Sequence, residues 1–79
     1  MTNIKLFQTA INKANEYCEN HNITSDYMSL YSRISDWYNH TDITDPEMLA
    51  AVALEFTSYI MLPYDVLIKV TEMYFPRYM

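Results

Sequence analysis

Apolar residues recur along this chain at helical spacing in four separate runs. The first is Ile4, Phe7, Ile11, Ala14 and Cys18, widened by Leu6, Ala10 and Tyr17, with Lys5, Gln8, Asn12, Lys13, Asn15, Glu16 and Glu19 opposite. Steps of three and four place such a set on one side of an α-helix. Thr2 or Asn3 supplies its N-cap, and Asn20-His21-Asn22 reads as the turn that ends it. The second run, Tyr27, Leu30, Tyr31, Ile34, Trp37 and Tyr38, keeps the helical period with bulkier side chains. Thr24 or Ser25 caps it, and Asp26 in the first turn suits the helix dipole. Asn39 to Thr44 is a polar connector holding one apolar residue, Ile43.

Asp45-Pro46-Glu47 is the clearest start signal in the chain, with an N-cap acid, proline at N1 and an acid in the first turn. Leu49, Val52, Ala53, Phe56, Tyr59 and Ile60 are expected to face inward from the third helix, and Ala50, Ala51 and Ala53 allow a neighbour to come close. Pro63 is expected to break this helix from a fourth, which carries Asp65 in its first turn and buries Val66, Leu67, Val70, Met73 and Tyr74. Pro76 ends it. These runs predict one all-α domain over residues 1–79, a compact bundle of four short helices.

Composition sharpens the picture by exclusion. The chain has no glycine, where an average sequence of this length has about five or six. Tight primed hairpins and phosphate-cradling loops are thereby disfavoured. The net charge of −5 is the wrong sign for binding a phosphate backbone or an anionic membrane surface. Cys18 is the only cysteine, so no internal disulfide forms. Met1 to Leu6 is polar with no apolar run after it, and the densest apolar stretches are too short to span a bilayer. No membrane insertion is expected, and the expected location is cytoplasmic.

Candidate chemistry is sparse. Cys18 and His21 have a C-x-x-H spacing, but a zinc site needs four ligands and Cys18 lies on the apolar stripe. Asp36 to Glu47 has the length of a calcium loop, yet its acids fall at every third position and Thr41 stands where glycine is demanded. Cys18 is flanked by Glu16 and Glu19, the wrong setting for a reactive thiolate. No catalytic residue, metal or cofactor is expected, and the chain does not read as an enzyme.

Two features suggest binding. Asp36 to Glu55 holds five acids and no Lys or Arg, and such runs are usually solvated faces. The 12 aromatic residues exceed what a core of this size encloses. Tyr64, Phe75 and Tyr78 are left over after the helical stripes are filled, with Met61 and Met79 nearby in sequence. Tyr, Trp, Phe and Met are enriched at protein interfaces.

Ile, Asn and Tyr total 21 residues, while Gly, Ala, Arg and Pro total 10, the mark of an A/T-rich gene. With its small size, acidic helical build and the opening MTNIKLFQTAINKANEYCENHNI, the chain resembles accessory proteins of the T-even phage group. That resemblance implies binding and adjusting a host or phage protein, the cytoplasmic antiholin being one such type.

The leading expectation is a protein-binding regulator or inhibitor that occupies a partner's surface, the partner being another protein or a second copy. Tyr64, Phe75, Tyr78 and Trp37 would anchor it, and Asp42, Asp45 and Glu47 would orient the approach. One alternative is a helical module for a small aromatic or nucleotide ligand, with Arg33 near Asp36 and Tyr31 as its charged contact. Another is an acidic nucleic-acid mimic using Asp36, Asp42, Asp45 and Glu47.

Overall fold

The computed structural model describes residues 3–77. It contains α1 (Ile4–Asn20), α2 (Tyr27–His40), α3 (Pro46–Glu55) and α4 (Tyr64–Tyr74), and no strand among the described residues. The fold is the expected all-α bundle of four short helices.

The Asn3 side chain caps α1 by accepting from the Leu6 N–H at 3.0 Å. At the other end, Asn22 takes φ 55 in the left-handed region. Ile23 N–H then reaches back to the Cys18 carbonyl at 2.8 Å and Asn22 N–H to that of Glu19 at 3.3 Å. This pair of bonds is a Schellman cap, normally built on glycine. Asn tolerates the left-handed region better than other residues with a Cβ, so a glycine-free chain can still stop a helix sharply. Asp26, one or two residues later than expected, caps α2 by accepting from Ser29 N–H at 3.2 Å.

The turn folds α2 back antiparallel on α1. Phe7 near the start of α1 meets Tyr31 and Tyr38, with ring centroids 4.9 and 5.8 Å apart. The Tyr38 hydroxyl accepts the Asn3 N–H at 2.7 Å, tying the two open ends together.

α3 starts as expected, with Asp45 accepting from Glu47 N–H at 2.9 Å and Pro46 in the first turn. From Met48 through Ala53 every residue is buried. A helix apolar on all sides must be enclosed on all sides, and α3 packs against α1, α2 and α4. Its alanines let the neighbouring axes come close, since interaxial distance follows side-chain size.

α3 stops at Glu55 rather than continuing to Ile60. Thr57 and Ser58 are weak helix formers, and two side chains of α2 seize the backbone here. Arg33 Nη2 donates to the Leu54 carbonyl at 3.0 Å. The Asp36 carboxylate accepts the Tyr59 N–H at 2.7 Å. Residues 56–63 therefore form a non-helical crossover. Phe56 and Tyr59 still reach the core, with rings 5.9 and 5.2 Å from Trp37, but Ile60 turns outward and is 46% exposed.

Pro63 does break the chain, standing at the N-cap of α4 with Asp65 in the first turn. Val66 and Leu67 are half-buried and Val70 is buried, but Met73 is exposed and Thr71 takes a buried place instead. Tyr27 and Tyr31, expected inside, are also exposed. Trp37 is 0% exposed, wholly enclosed in the core, so it is not a surface anchor.

The cap at Asn22 is directly testable. Asn22→Ala should lower stability in urea unfolding by about 1 kcal/mol, because a Cβ residue without Asn's local bonding pays the left-handed penalty. Asn22→Gly should match or exceed the wild type, as glycine carries no such penalty. Equal losses in both variants would show that the Asn side chain, not the backbone conformation, matters.

Candidate functional site

A groove of about 580 Å³ lies between the connector that joins α2 to α3, the crossover 56–63 and α4. Met48, Leu62 and Leu67 line it with apolar surface, while Tyr64 and Ile68 add exposed apolar side chains from α4. Tyr64 is 68% exposed. Asp42 and Glu72 bring negative charge to the lining, and neither forms an ion pair among the described residues.

The wall formed by the crossover is fixed by a small cluster on α2. Besides holding the Tyr59 N–H, Asp36 lies beside His40, whose Nδ1 is 3.5 Å from Asp36 Oδ1 and 2.8 Å from its backbone carbonyl oxygen. The His40 ring stacks on Tyr59 at 4.9 Å between centroids. One acid and one imidazole thus set the backbone path and the ring orientation at the groove's edge.

At the groove's other side the C-terminal residues return to the start of α3. The Arg77 guanidinium bridges Asp45 and Glu47, with Nε donating to Glu47 Oε1 at 3.2 Å and Nη2 donating to Asp45. These contacts, the Asp45 hydrogen bond first, hold the Arg77 pKa above its ordinary value. Lys13 of α1 donates to the other Glu47 oxygen at 3.1 Å. The first turn of α3 is thereby clamped from both sides.

The expected site residues part company here. Tyr64 and Asp42 come together in the groove. Asp45 borders it but is engaged by Arg77 and by its capping role, and Glu47 is held by Lys13 and Arg77. Phe75 is half-buried against the core, its ring 6.0 Å from Tyr17, away from the groove. Tyr78 lies outside the described residues. Sequence reasoning missed Ile68 and Glu72. Ile68 carried a signal, being a large apolar residue left off the inward stripe of α4.

Arg33 lies outside this groove. It lines a cleft of about 240 Å³ with Tyr17, Cys18 and Tyr74, where its Nη2 is engaged by the end of α3. This nitrogen caps the negative end of the α3 dipole, while the Arg33 Nε is buried with no partner among the described residues. Cys18 is buried, and His21 stacks on Tyr17 with centroids 4.0 Å apart. No group of three His, Cys, Asp or Glu suited to a metal lies among the described residues.

The acids between Asp36 and Glu55 are mostly engaged within the fold. Asp36 holds the crossover, Asp45 and Glu47 hold Arg77, and Glu55 accepts the Tyr74 hydroxyl at 2.7 Å. Burial, helped by the Glu55 carboxylate, pushes the Tyr74 phenol up to about 12.

No protein-family model, curated protein or solved structure matches this chain. No helix among the described residues is long and apolar enough to cross a membrane.

The Tyr74 shift makes a prediction with a definite sign. The folded chain holds this phenolic proton more tightly than the unfolded chain, where ionisation falls near 10. Its contribution to stability is therefore complete below pH 10 and lost as pH rises through about 12. The urea midpoint should fall across that window, and Tyr74→Phe should flatten the fall. Glu55→Gln should flatten it only in part, because burial is the larger cause.

Proposed function

We propose that this chain is a small protein-binding regulator that acts by occupying its partner's surface, with the groove beside α4 as its contact site. The observation that carries the proposal is the pairing of exposed apolar side chains, Tyr64 and Ile68, with the acids Asp42 and Glu72, which have no ion-pair partner among the described residues, around one concave surface. Apolar anchors in a concave patch supply binding energy, while charges at its rim set orientation and association rate. The matching partner presents an apolar side chain flanked by Lys or Arg. Following the sequence's resemblance to T-even phage accessory proteins, the partner is a host or phage protein met in the cytoplasm, and the role is non-enzymatic.

The other two readings have less support. With Nη2 of Arg33 capping α3, the ligand module has only the remaining guanidinium nitrogens of Arg33 as its charged contact. With Asp36, Asp45 and Glu47 engaged inside the fold, the nucleic-acid mimic retains only Asp42 of its proposed carboxylates.

The test is affinity capture from cells with wild-type bait beside Tyr64→Ala/Ile68→Ala bait, followed by binding kinetics on the captured partner. The double variant should weaken binding by about tenfold or more, as expected for removal of central anchors. Asp42→Asn/Glu72→Gln should chiefly slow association and reduce its salt dependence. Capture of the same partner at equal affinity by both baits would refute the groove, and failure to capture any partner would refute the regulator reading.

A further inference from the structure

One wall of the groove beside α4 is main chain. From His40 to Asp45 every residue lines it. Side chains of an extended chain point alternately to opposite faces, so an unbroken run of lining residues brings the backbone itself to the groove. The connector is extended at both ends, with Thr41 at φ −135, ψ 166 and Asp45 at φ −92, ψ 117. Burial alternates between them, Thr41, Ile43 and Asp45 being half-buried while Asp42 and Thr44 are exposed. That is the period of a strand, but no strand pairs with it among the described residues. There, too, no main-chain hydrogen bond to another main-chain group involves Asp42, Ile43 or Thr44. A row of unpaired N–H and C=O groups is a template for another extended chain.

The α4 wall carries a matching row. Tyr64, Ile68 and Glu72 line the groove at steps of four residues, and each such step rises about 6 Å along a helix. Every second side chain of an extended chain lies about 6.7 Å from the last. A strand laid between the connector and α4 therefore sets successive inward side chains against Tyr64, Ile68 and Glu72 in turn. We infer that the groove takes an extended segment of the partner, paired through its main chain with Asp42–Thr44 and carrying apolar, apolar and basic side chains at alternate positions. Main-chain bonds then supply affinity, and the alternate side chains supply specificity. The charges agree with a basic residue at the Glu72 end. Asp42 and Glu72 form no ion pair among the described residues, whereas Arg77 in the same lining is engaged by Asp45 and Glu47. A partner helix satisfies its own main chain and so leaves that of the connector unpaired. The inference rests on this groove being the contact site, as proposed above, and adds the conformation and pattern of what enters it.

The probe is the synthetic peptide acetyl-Thr-Leu-Thr-Leu-Thr-Lys-Thr-amide, set against the same residues reordered to helical spacing as Leu-Thr-Thr-Leu-Lys-Thr-Thr. Binding to the full chain is followed by NMR titration, and amide exchange is measured on the free and the saturated chain. The alternating peptide should bind about tenfold more tightly than the reordered one, the worth of one or two net main-chain hydrogen bonds. N-methylating whichever alternate set of its amides faces the connector should remove that advantage, while methylating the other set should cost little. Exchange at alternate amides of Asp42–Thr44 should slow on binding. Glu72→Lys should weaken the peptide and restore affinity for its counterpart with Glu in place of Lys. The inference is overturned if the reordered peptide binds as tightly or more so, if all three connector amides exchange as in the free chain, or if the alternating peptide does not bind. Loss of the reordered peptide's binding in Tyr64→Ala/Ile68→Ala would then leave the groove standing as a contact site. Equal binding of the alternating peptide to Tyr64→Ala/Ile68→Ala and to the wild type would overturn the groove itself, and the inference with it.

Discussion

The structure depends on the enclosure of α3. Its residues from Met48 to Ala53 leave no polar side to turn to water, so the other three helices must surround it. A helix of ten residues is too short to hold itself together in water, and packing supplies what helix propensity cannot. Fully burying one Val or Leu side chain is worth about 1.5–3 kcal/mol, and Leu49 and Val52 are both at 0% exposure. Trp37 closes one side of this core. Its indole N–H is buried without a partner among the described residues, a cost of about 1–3 kcal/mol against the large apolar area that the ring covers.

Enclosing α3 leaves its two ends to be satisfied, and polar side chains from other helices do this. Asp45 caps the start, Arg77 and Lys13 neutralise the acids there, and Arg33 takes a carbonyl at the end. Asp36 then holds the crossover that leads away. These contacts consume most of the acidic stretch, so its charge describes how the helix is clamped more than what the outer surface offers. They also shape the groove. Without the halt at Glu55 there would be no extended wall opposite α4.

The groove beside α4 and the groove between α1 and α2 differ in charge. One combines apolar side chains with Asp42 and Glu72, which form no ion pair among the described residues, and the lining of the other holds no charged side chain. Tyrosines line both, and an aromatic body with a polar tip tolerates water when bare and excludes it when covered.

Helical period, the Asp45-Pro46 start and the break at Pro63 were legible because each rests on local geometry that a short stretch of chain dictates. So was the close approach of neighbours to α3, because Ala50, Ala51 and Ala53 present little bulk. The end of α3 was not legible. The pattern Phe56, Tyr59, Ile60 fits a continuing helix, and only Arg33 and Asp36, far away in sequence, divert the backbone. The fate of each aromatic was hidden for a related reason. Trp37 and Tyr31 share one apolar stripe on α2, yet the stripe is wider than the area that α1 and α3 cover, so one is enclosed and the other is left outside. The sequence by itself determined where helices begin and which residues can be buried. The tertiary structure decided which of them are buried, which acids are engaged and which remain exposed, because those outcomes depend on neighbours that only the folded chain brings together.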